Sequence, residues 1–143
     1  MIRLAEGSLN RYSGSAMTDR EFRVMDRKNK AFRFFVSQAF IDIAADAIAM
    51  QTKKTCRFST LRSAIEVGCE RLAGSSIDPE DFLAFRQTTQ LDGDIRVHLN
   101  MHGSWSAYYE DLKAQLAEIV GKRVFDRTAI AYLLHLSIQN DLY

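Results

Sequence analysis

The chain has 143 residues, of which 47% are hydrophobic, so it suffices for one packed domain of ordinary size. Its formal net charge is +1, which excludes the strongly basic or acidic classes. It contains neither an apolar run of the roughly 20 residues that a membrane helix needs nor an apolar signal-peptide core. We therefore expect a cytoplasmic protein without membrane contact, in which Cys56 and Cys69 are reduced and buried.

The charge is unevenly spread along the chain. Residues 1–37 hold eight Lys and Arg against four acidic residues. Residues 1–30 are therefore predicted to form a basic, partly flexible arm, with a short helix starting after Thr18. A basic arm suits an anionic partner. A solvated tail without a binding role explains the same charges.

The first strand is predicted at residues 31–37, where apolar and polar residues alternate. Its inward face would carry Phe32, Phe34 and Val36. Its outward face would carry Ala31, Arg33 and Phe35.

Two helices are predicted to follow this strand. Ser37 would cap the first, which runs to about Lys54. Its apolar stripe would be Ile41, Ala44, Ala45, Ile48 and Ala49. Ser59 would cap the second helix, which runs to about Ala73 before Gly74 ends it. Its apolar stripe would be Ala64, Ile65, Gly68, Cys69 and Leu72. Residues 31–73 are thus predicted to form one strand-helix-helix unit.

Residues 74–93 are predicted to be a linker. Asp78 followed by Pro79 is typical of a helix start, so a short helix to Phe85 is expected. Asp92-Gly93 predicts a turn into a second strand.

A second strand-helix-helix unit is predicted at residues 94–143. Its strand would place Ile95, Val97 and Leu99 inward and Asp94, Arg96, His98 and Asn100 outward. Ser104 would cap the next helix, which carries Tyr108, Leu112, Leu116 and Ile119 on one face and ends at Gly121. Asp126 would cap the final helix, whose apolar residues are Ile130, Ala131, Leu133, Leu134 and Ile138.

The two predicted units match in pattern more than in identity. Their strands align at an offset of 63 residues and their helices at 67, if a loop at 101–104 absorbs the difference. One strand from each unit would pair antiparallel, because neither is stable alone. We therefore predict a mainly α fold with a short two-stranded antiparallel ribbon, packed as a single domain.

The outward face of that ribbon suits the major groove of B-DNA, which accepts a two-stranded ribbon. Arg pairs with guanine, Asn pairs with adenine, and an aromatic ring packs on a thymine methyl group. The predicted base-contacting residues are Arg33, Phe35, Arg96, His98 and Asn100. A half-exposed ribbon that meets only water is the alternative.

The N-terminus of each second helix would lie near the ribbon, where its backbone N–H groups can hold a phosphate. The predicted phosphate-contacting residues are Lys28, Lys30, Lys53, Lys54, Arg57, Ser59, Thr60, Lys122, Arg123 and Arg127. An equally weighted alternative is that the cations of these loops complement helix C-termini and lie in solvated turns. Asp126 would oppose a phosphate, so the first unit is expected to grip the DNA backbone better.

With these features the chain resembles the ribbon-helix-helix superfamily of DNA-binding proteins, the class of the Arc and MetJ repressors. It is similar to single-chain members with two ribbon-helix-helix units, associated with plasmid and T-DNA transfer. The resemblance covers about residues 31–73 and 94–140. It implies base reading by Arg33, Phe35, Arg96 and His98, and phosphate anchoring at Ser59, Thr60, Asp126 and Arg127. The first inter-helix turn departs from the usual pattern because it lacks a glycine.

Other chemistry has little support in the sequence. The three histidines, His98, His102 and His135, lack ligands at zinc-like spacing. There is no Gly-rich phosphate loop, and Asp42 and Asp46 share a helix face only by spacing. We expect no metal, no cofactor and no enzyme activity.

The expected partner is double-stranded DNA, with a second copy on DNA or another protein as a further partner. The role would be transcriptional regulation or accessory work in DNA transfer. Because the two strands differ, the bound site should be asymmetric. The alternative function is a protein-interaction module, such as an antiactivator or antitoxin-like adaptor, and Phe35, Asp126 and the near-neutral total charge favour it.

Overall fold

The computed structural model describes residues 30–101 and 103–143, which contain two strands and five helices. In chain order these are β1 (Lys30–Val36), α1 (Gln38–Thr55), α2 (Leu61–Leu72), α3 (Pro79–Thr88), β2 (Ile95–Met101), α4 (Gly103–Val120) and α5 (Asp126–Gln139). The predicted mainly α fold with a two-stranded antiparallel sheet is confirmed. Residues 1–29 of the predicted arm, including Lys28 and the helix after Thr18, lie outside the described residues, as does His102. Lys30, which was assigned to the arm, is the first residue of β1.

The predicted pairing of the two strands is also confirmed. β1 runs antiparallel to β2, with Phe32 opposite Leu99 and Phe34 opposite Val97. These four side chains face the helices, and three of them are buried, while Phe34 is half-buried. The alternation of the sequence therefore predicted the inner face of the ribbon correctly, because side chains alternate between the two faces of a strand.

The predicted start of α1 is confirmed, and its buried face is confirmed in part: Ala44 is buried, and Ile41 and Ile48 are half-buried against the core. The Ser37 hydroxyl accepts a hydrogen bond from the Phe40 N–H at 3.3 Å, as a cap does. Of the predicted stripe, Ala45 and Ala49 are exposed. The buried residues are Phe40, Ala44, Ala47 and Gln51. The helix is rotated because the large Phe40 ring packs edge-on against Phe34, 5.8 Å between ring centroids, and alanines alone specify no face.

The cap of α2 was predicted one residue too early. Thr60, not Ser59, is the N-cap, and its hydroxyl accepts a hydrogen bond from the Ser63 N–H at 3.1 Å. The Ser59 hydroxyl instead donates to the side-chain oxygen of Gln51. Gln51 is buried and needs a polar partner. Because Gln51 takes the Ser59 hydroxyl, tertiary packing decides which of the two adjacent hydroxyls caps α2.

The buried face of α2 was predicted correctly for most residues. Ala64, Ile65, Gly68 and Cys69 are buried, and Leu72 is half-buried. Burial, with a smaller effect of the Glu66 charge, raises the pKa of the Cys69 thiol to about 12. Cys56 was wrongly predicted to be buried. It is an exposed free thiol because it ends α1 with a left-handed φ of 57°.

The linker packs into the domain. Asp78 caps α3 as predicted, accepting from the Glu80 N–H at 3.1 Å, but α3 continues three residues past the predicted Phe85. Its Phe82 and Phe85 rings contact Tyr132 of α5, at centroid distances of 4.8 and 5.2 Å. These contacts hold α3 against α5.

The last two helices required three corrections. α4 begins at Gly103, so Ser104 lies in its first turn and is not a cap before it. Tyr109 is buried, whereas Tyr108 is 44% exposed. Phe125 holds the N-cap position of α5 without a side-chain hydrogen bond, and Asp126 is the first residue of the helix. Asp126 accepts a hydrogen bond from the Tyr109 hydroxyl of α4 across the turn between the two helices. That contact holds the Tyr109 side chain inward.

Corresponding strands and corresponding helices of the two predicted units are separated by one constant spacing, not by the predicted offsets of 63 and 67 residues. β2, α4 and α5 begin 65 residues after β1, α1 and α2, respectively, and no insertion separates them. The prediction was wrong because it aligned Ser37 with Ser104. The correct spacing has a sequence signal of its own, since Arg62-Ser63-Ala64-Ile65 recurs as Arg127-Thr128-Ala129-Ile130.

Candidate nucleic-acid interface

The outward face of the ribbon consists of three cross-strand pairs. Arg33 lies opposite His98 at the centre, Phe35 opposite Arg96 on one side, and Ala31 opposite Asn100 on the other. All six residues are exposed, as their alternation predicted. The ribbon thus brings together all five predicted base-contacting residues, Arg33, Phe35, Arg96, His98 and Asn100, on one surface.

The central pair is held by a long hydrogen bond. Arg33 Nε donates to His98 Nε2 at 3.4 Å. Within the described residues, the two terminal NH₂ groups of Arg33 make no hydrogen bond or ion pair. These are the groups with which arginine pairs to the O6 and N7 atoms of guanine.

The Phe35–Arg96 pair explains why an aromatic residue faces outward. The Arg96 guanidinium carbon lies 5.9 Å from the centroid of the Phe35 ring. A cation over an aromatic face at an exposed site is stabilised by about 0.5–1 kcal/mol. Phe35, which is 50% exposed, therefore both supports Arg96 and offers an apolar edge.

The turn between α1 and α2 carries the first group of predicted phosphate contacts. Lys53 and Arg57 are exposed and form no ion pair with any described residue. Lys54 differs, since its Nζ lies 2.6 Å from a carboxylate oxygen of Asp141. Of the three cations, only Lys53 and Arg57 are free of an internal anion.

The turn between α4 and α5 carries the second group. Lys122 and Arg123 are exposed, and the Arg127 guanidinium lies 4.9 Å from the centroid of the Phe125 ring. None of these three cations is ion-paired in residues 30–101 and 103–143. Lys30, by contrast, forms an ion pair with Glu110, so it offers less charge to a phosphate.

Both predicted hydroxyls make hydrogen bonds within the protein, but among the described residues only that of Ser59 acts as a donor. The Thr60 hydroxyl accepts the cap hydrogen bond, and the Ser59 hydroxyl donates to Gln51. Ser63 also donates to the Gln51 side-chain oxygen, at 3.3 Å. Sequence reasoning missed Gln51, although it lies four residues after Ala47 on the buried side of α1. A phosphate oxygen needs a donor, and the donor of the Ser59 hydroxyl is occupied. The exposed Thr60 hydroxyl only accepts in its cap bond and can still donate, together with the cations and backbone N–H groups of this turn.

Asp126 is bound by α4. Its carboxylate accepts hydrogen bonds from the Tyr109 hydroxyl at 2.6 Å and from Lys113 Nζ at 2.8 Å. Burial alone would raise the pKa of Asp126, but these two bonds and the charges of Lys113 and Lys30 outweigh it and lower that pKa. Lys113, which the sequence did not single out, thus offsets the negative charge expected to repel a phosphate.

This network makes part of the stability pH-dependent. Because the pKa of Asp126 is lowered in the folded state, its contribution is fully present above the unfolded-state pKa of about 3.9 and is lost as pH falls through the folded-state pKa. Asp126→Asn should lower the free energy of unfolding by about 1–2 kcal/mol at pH 7. Urea titrations at several pH values should show this difference shrinking below about pH 4. A difference that does not change with pH would contradict the role of the ionised carboxylate.

The remaining histidine has a packing role in the described structure. The His135 ring lies 4.8 Å from the Phe85 ring and 6.1 Å from that of Tyr132, centroid to centroid. Burial lowers the pKa of His135, against the opposing charge of Asp81. Among the residues described, no three His, Cys, Asp or Glu side chains are placed to hold a metal ion.

In the same part of the chain, every helix is too short or too polar to cross a bilayer. Comparison with protein-family models, with curated proteins and with solved structures gave no match.

Proposed function

We propose that this chain is a sequence-specific double-stranded DNA-binding protein that inserts the β1–β2 ribbon in the major groove. The observation that carries the proposal is the register of the ribbon, which puts Arg33, Arg96 and His98 on one exposed face. None of the paired residues on that face is acidic, since Asp94, which was predicted to face outward, precedes β2. The width of the ribbon fits the groove. The protein would act in transcriptional regulation or as an accessory factor in DNA transfer, without a cofactor or enzyme activity.

We extend the proposal to a tandem ribbon-helix-helix protein whose two units are related by a pseudo-two-fold axis. A residue that lies on such an axis contacts its counterpart, which is the residue at the equivalent position of the other unit. Arg33 pairs with His98, 65 residues later. Gly68 lies beside Leu133, again 65 residues later, and a Cβ on Gly68 would be 3.4 Å from Leu133 Cδ1. The ribbon and the α2–α5 crossing therefore both fit one axis.

The cations near the second helices supply the phosphate contacts of this proposal. Lys53 and Arg57 lie before α2, and Lys122, Arg123 and Arg127 lie at the start of α5. Positive charge on both sides of a reading ribbon positions it on the DNA backbone. The near-neutral total charge does not oppose this, because the binding field depends on where the charges lie.

A titration of labelled genomic DNA fragments, followed by fluorescence anisotropy at two salt concentrations, tests the proposal. We expect saturable binding that weakens steeply with salt and prefers some fragments over others. Binding that is absent at tens of micromolar protein would refute it.

The turn cations should govern the salt dependence. The triple variant Arg57→Ala/Lys122→Ala/Arg123→Ala removes three phosphate contacts, so the slope of log K against log salt should become shallower by up to about 2.7. Affinity should fall for all duplexes alike. Arg71→Ala is a suitable control, because Arg71 lies in the last turn of α2 and donates to the Leu142 carbonyl. An unchanged slope in the triple variant would mean that these three cations do not contact the DNA backbone.

A protein-interaction module remains the second candidate, and two exposed aromatic residues favour it. Phe58 is 99% exposed and Phe125 is 67% exposed, and exposed aromatic side chains are enriched at protein interfaces. If the DNA titration shows no binding, Phe58→Ser and Phe125→Ser should weaken binding to a protein partner while the fold is retained.

A further inference from the structure

We infer that the protein binds a non-palindromic DNA site in one fixed orientation, with the Phe35–Arg96 pair over a guanine flank and the Ala31–Asn100 pair over an adenine flank. This inference rests on the proposed function. It adds the polarity of the site and assigns each flank to particular side chains.

The polarity follows from the pairing of the outward residues. In a ribbon made of two identical chains, the two pairs that flank the centre would have the same composition. Here, at the constant spacing, the counterpart of Phe35 is Asn100 and that of Ala31 is Arg96. Since Phe35 pairs with Arg96 and Ala31 with Asn100, one flank carries an aromatic ring and a cation. The other flank carries a methyl group and an amide.

The Phe35–Arg96 flank is suited to guanine. Arg96 lies over the Phe35 ring, which limits the freedom of the guanidinium before DNA arrives. A bidentate contact from arginine to guanine is the commonest specific contact in the major groove. The exposed edge of Phe35 can contact a neighbouring thymine methyl group.

The Ala31–Asn100 flank is suited to adenine. The Asn100 amide has the donor and the acceptor that match N7 and N6 of adenine. Ala31 opposite it is small, so the Asn100 side chain is not screened from the groove. Outward pairs are spaced about 7 Å apart along a strand, so the two flanks lie about four base pairs apart at 3.4 Å per base pair.

Reversing the protein on its site would exchange the two flanks. Arg96 would then face adenine and Asn100 would face guanine. Each lost bidentate contact lowers affinity about 5- to 150-fold, so both together lower it more than about 30-fold. That ratio is sufficient to keep one orientation dominant.

A cleavage experiment measures the orientation directly. Cys56 is an exposed free thiol, and Cys69 is buried, so an iron chelate can be attached at Cys56 alone. Cys56 lies off the pseudo-two-fold axis, and its counterpart is Gly121, 65 residues later and also at positive φ. On a duplex selected from a random library, the labelled protein should cut on one side of the site only.

The matched control moves the chelate to the other unit. In Cys56→Ser/Gly121→Cys, cleavage should shift to the opposite side of the same duplex. Equal cleavage on both sides with either protein, or a palindromic selected sequence, would overturn the fixed orientation. Failure to select any site would instead refute the proposed function itself, so the two failures are distinguishable.

Base preference gives a second readout that needs no label. Arg96→Ala should relax the preference at one flank by about 5- to 150-fold, and Asn100→Ala should do so at the other flank, about four base pairs away. If both substitutions relax the same base pair, or neither changes a preference, the assignment of the flanks is wrong.

Discussion

Gly93→Ala should lower the free energy of unfolding by about 3 kcal/mol. A Cβ at this position would lie 2.7 Å from Ser37 Cα and closer still to the Val36 carbonyl oxygen. Both are backbone atoms at the junction between β1 and α1, so no side chain can rotate away to make room. Equilibrium unfolding in urea would measure the loss.

Gly74→Ala provides the matched control for this effect. Gly74 has a φ of 80°, and a Cβ there would meet nothing within 4 Å. Its substitution should therefore cost only the strain of a left-handed residue, about 1 kcal/mol. If the two variants unfold at the same urea concentration, the close approach at Gly93 does not exist in solution.

The reason for expecting a large effect at Gly93 is the way the linker is anchored. The Ser37 N–H donates to the Leu91 carbonyl at 2.7 Å, and the Ser37 hydroxyl donates to the Gln90 carbonyl at 2.6 Å. Gln90 and Leu91, shortly before β2, are thus held against the end of β1. Displacing Gly93 would disturb the entry of β2 into the ribbon, and with it the alignment of the outward pairs.

The double variant Arg33→Ala/Arg96→Ala should lose about 2–6 kcal/mol of preference for a selected site over unrelated duplex DNA. Each arginine is assigned one guanine contact, at about 1–3 kcal/mol of discrimination. Binding to unrelated DNA should change less, because the turn cations remain. Competition titrations with both duplexes give the ratio, and far-ultraviolet circular dichroism checks that the fold is retained.

Arg71→Ala serves again as the control, because it removes one arginine charge from the last turn of α2, outside the ribbon. If the double variant keeps its preference for the selected site, the ribbon is not the reading surface. Phe35→Ala refines the result: once the ring under Arg96 is removed, Arg96→Ala should cost less than it does in the unaltered protein.

The helix caps show which local features could be predicted from the sequence and which could not. Ser37 and Asp78 cap their helices as predicted, because the oxygen of each side chain accepts from its own helix start. The second bond of Ser37, from its hydroxyl to the Gln90 carbonyl, uses the donor and leaves the cap intact. Ser59 and Asp126 were also predicted to cap helices and do not. Ser59 is taken by the buried Gln51. Asp126 is bound by α4 (Tyr109 and Lys113), residues that are distant in sequence.

The face that each helix buries likewise depends partly on the sequence and partly on tertiary contacts. The periodicity of α2 predicted its buried face, because its apolar residues form one stripe. In α1 the many alanines fit more than one face, and contact of Phe40 with Phe34 of the ribbon selects one of them. Periodicity limits the choices within an element, whereas the choice itself depends on the neighbouring element.

The sequence by itself determined the two strands, the inward and outward faces of each, and the order of the helices around them. These properties are local, since alternation and helical spacing are set within a few residues. Only the tertiary structure decided the pairing of Phe35 with Arg96 and the ion pairs that occupy Lys30 and Lys54. Each of these depends on groups that are far apart in the chain and meet only when it folds, which no local pattern encodes.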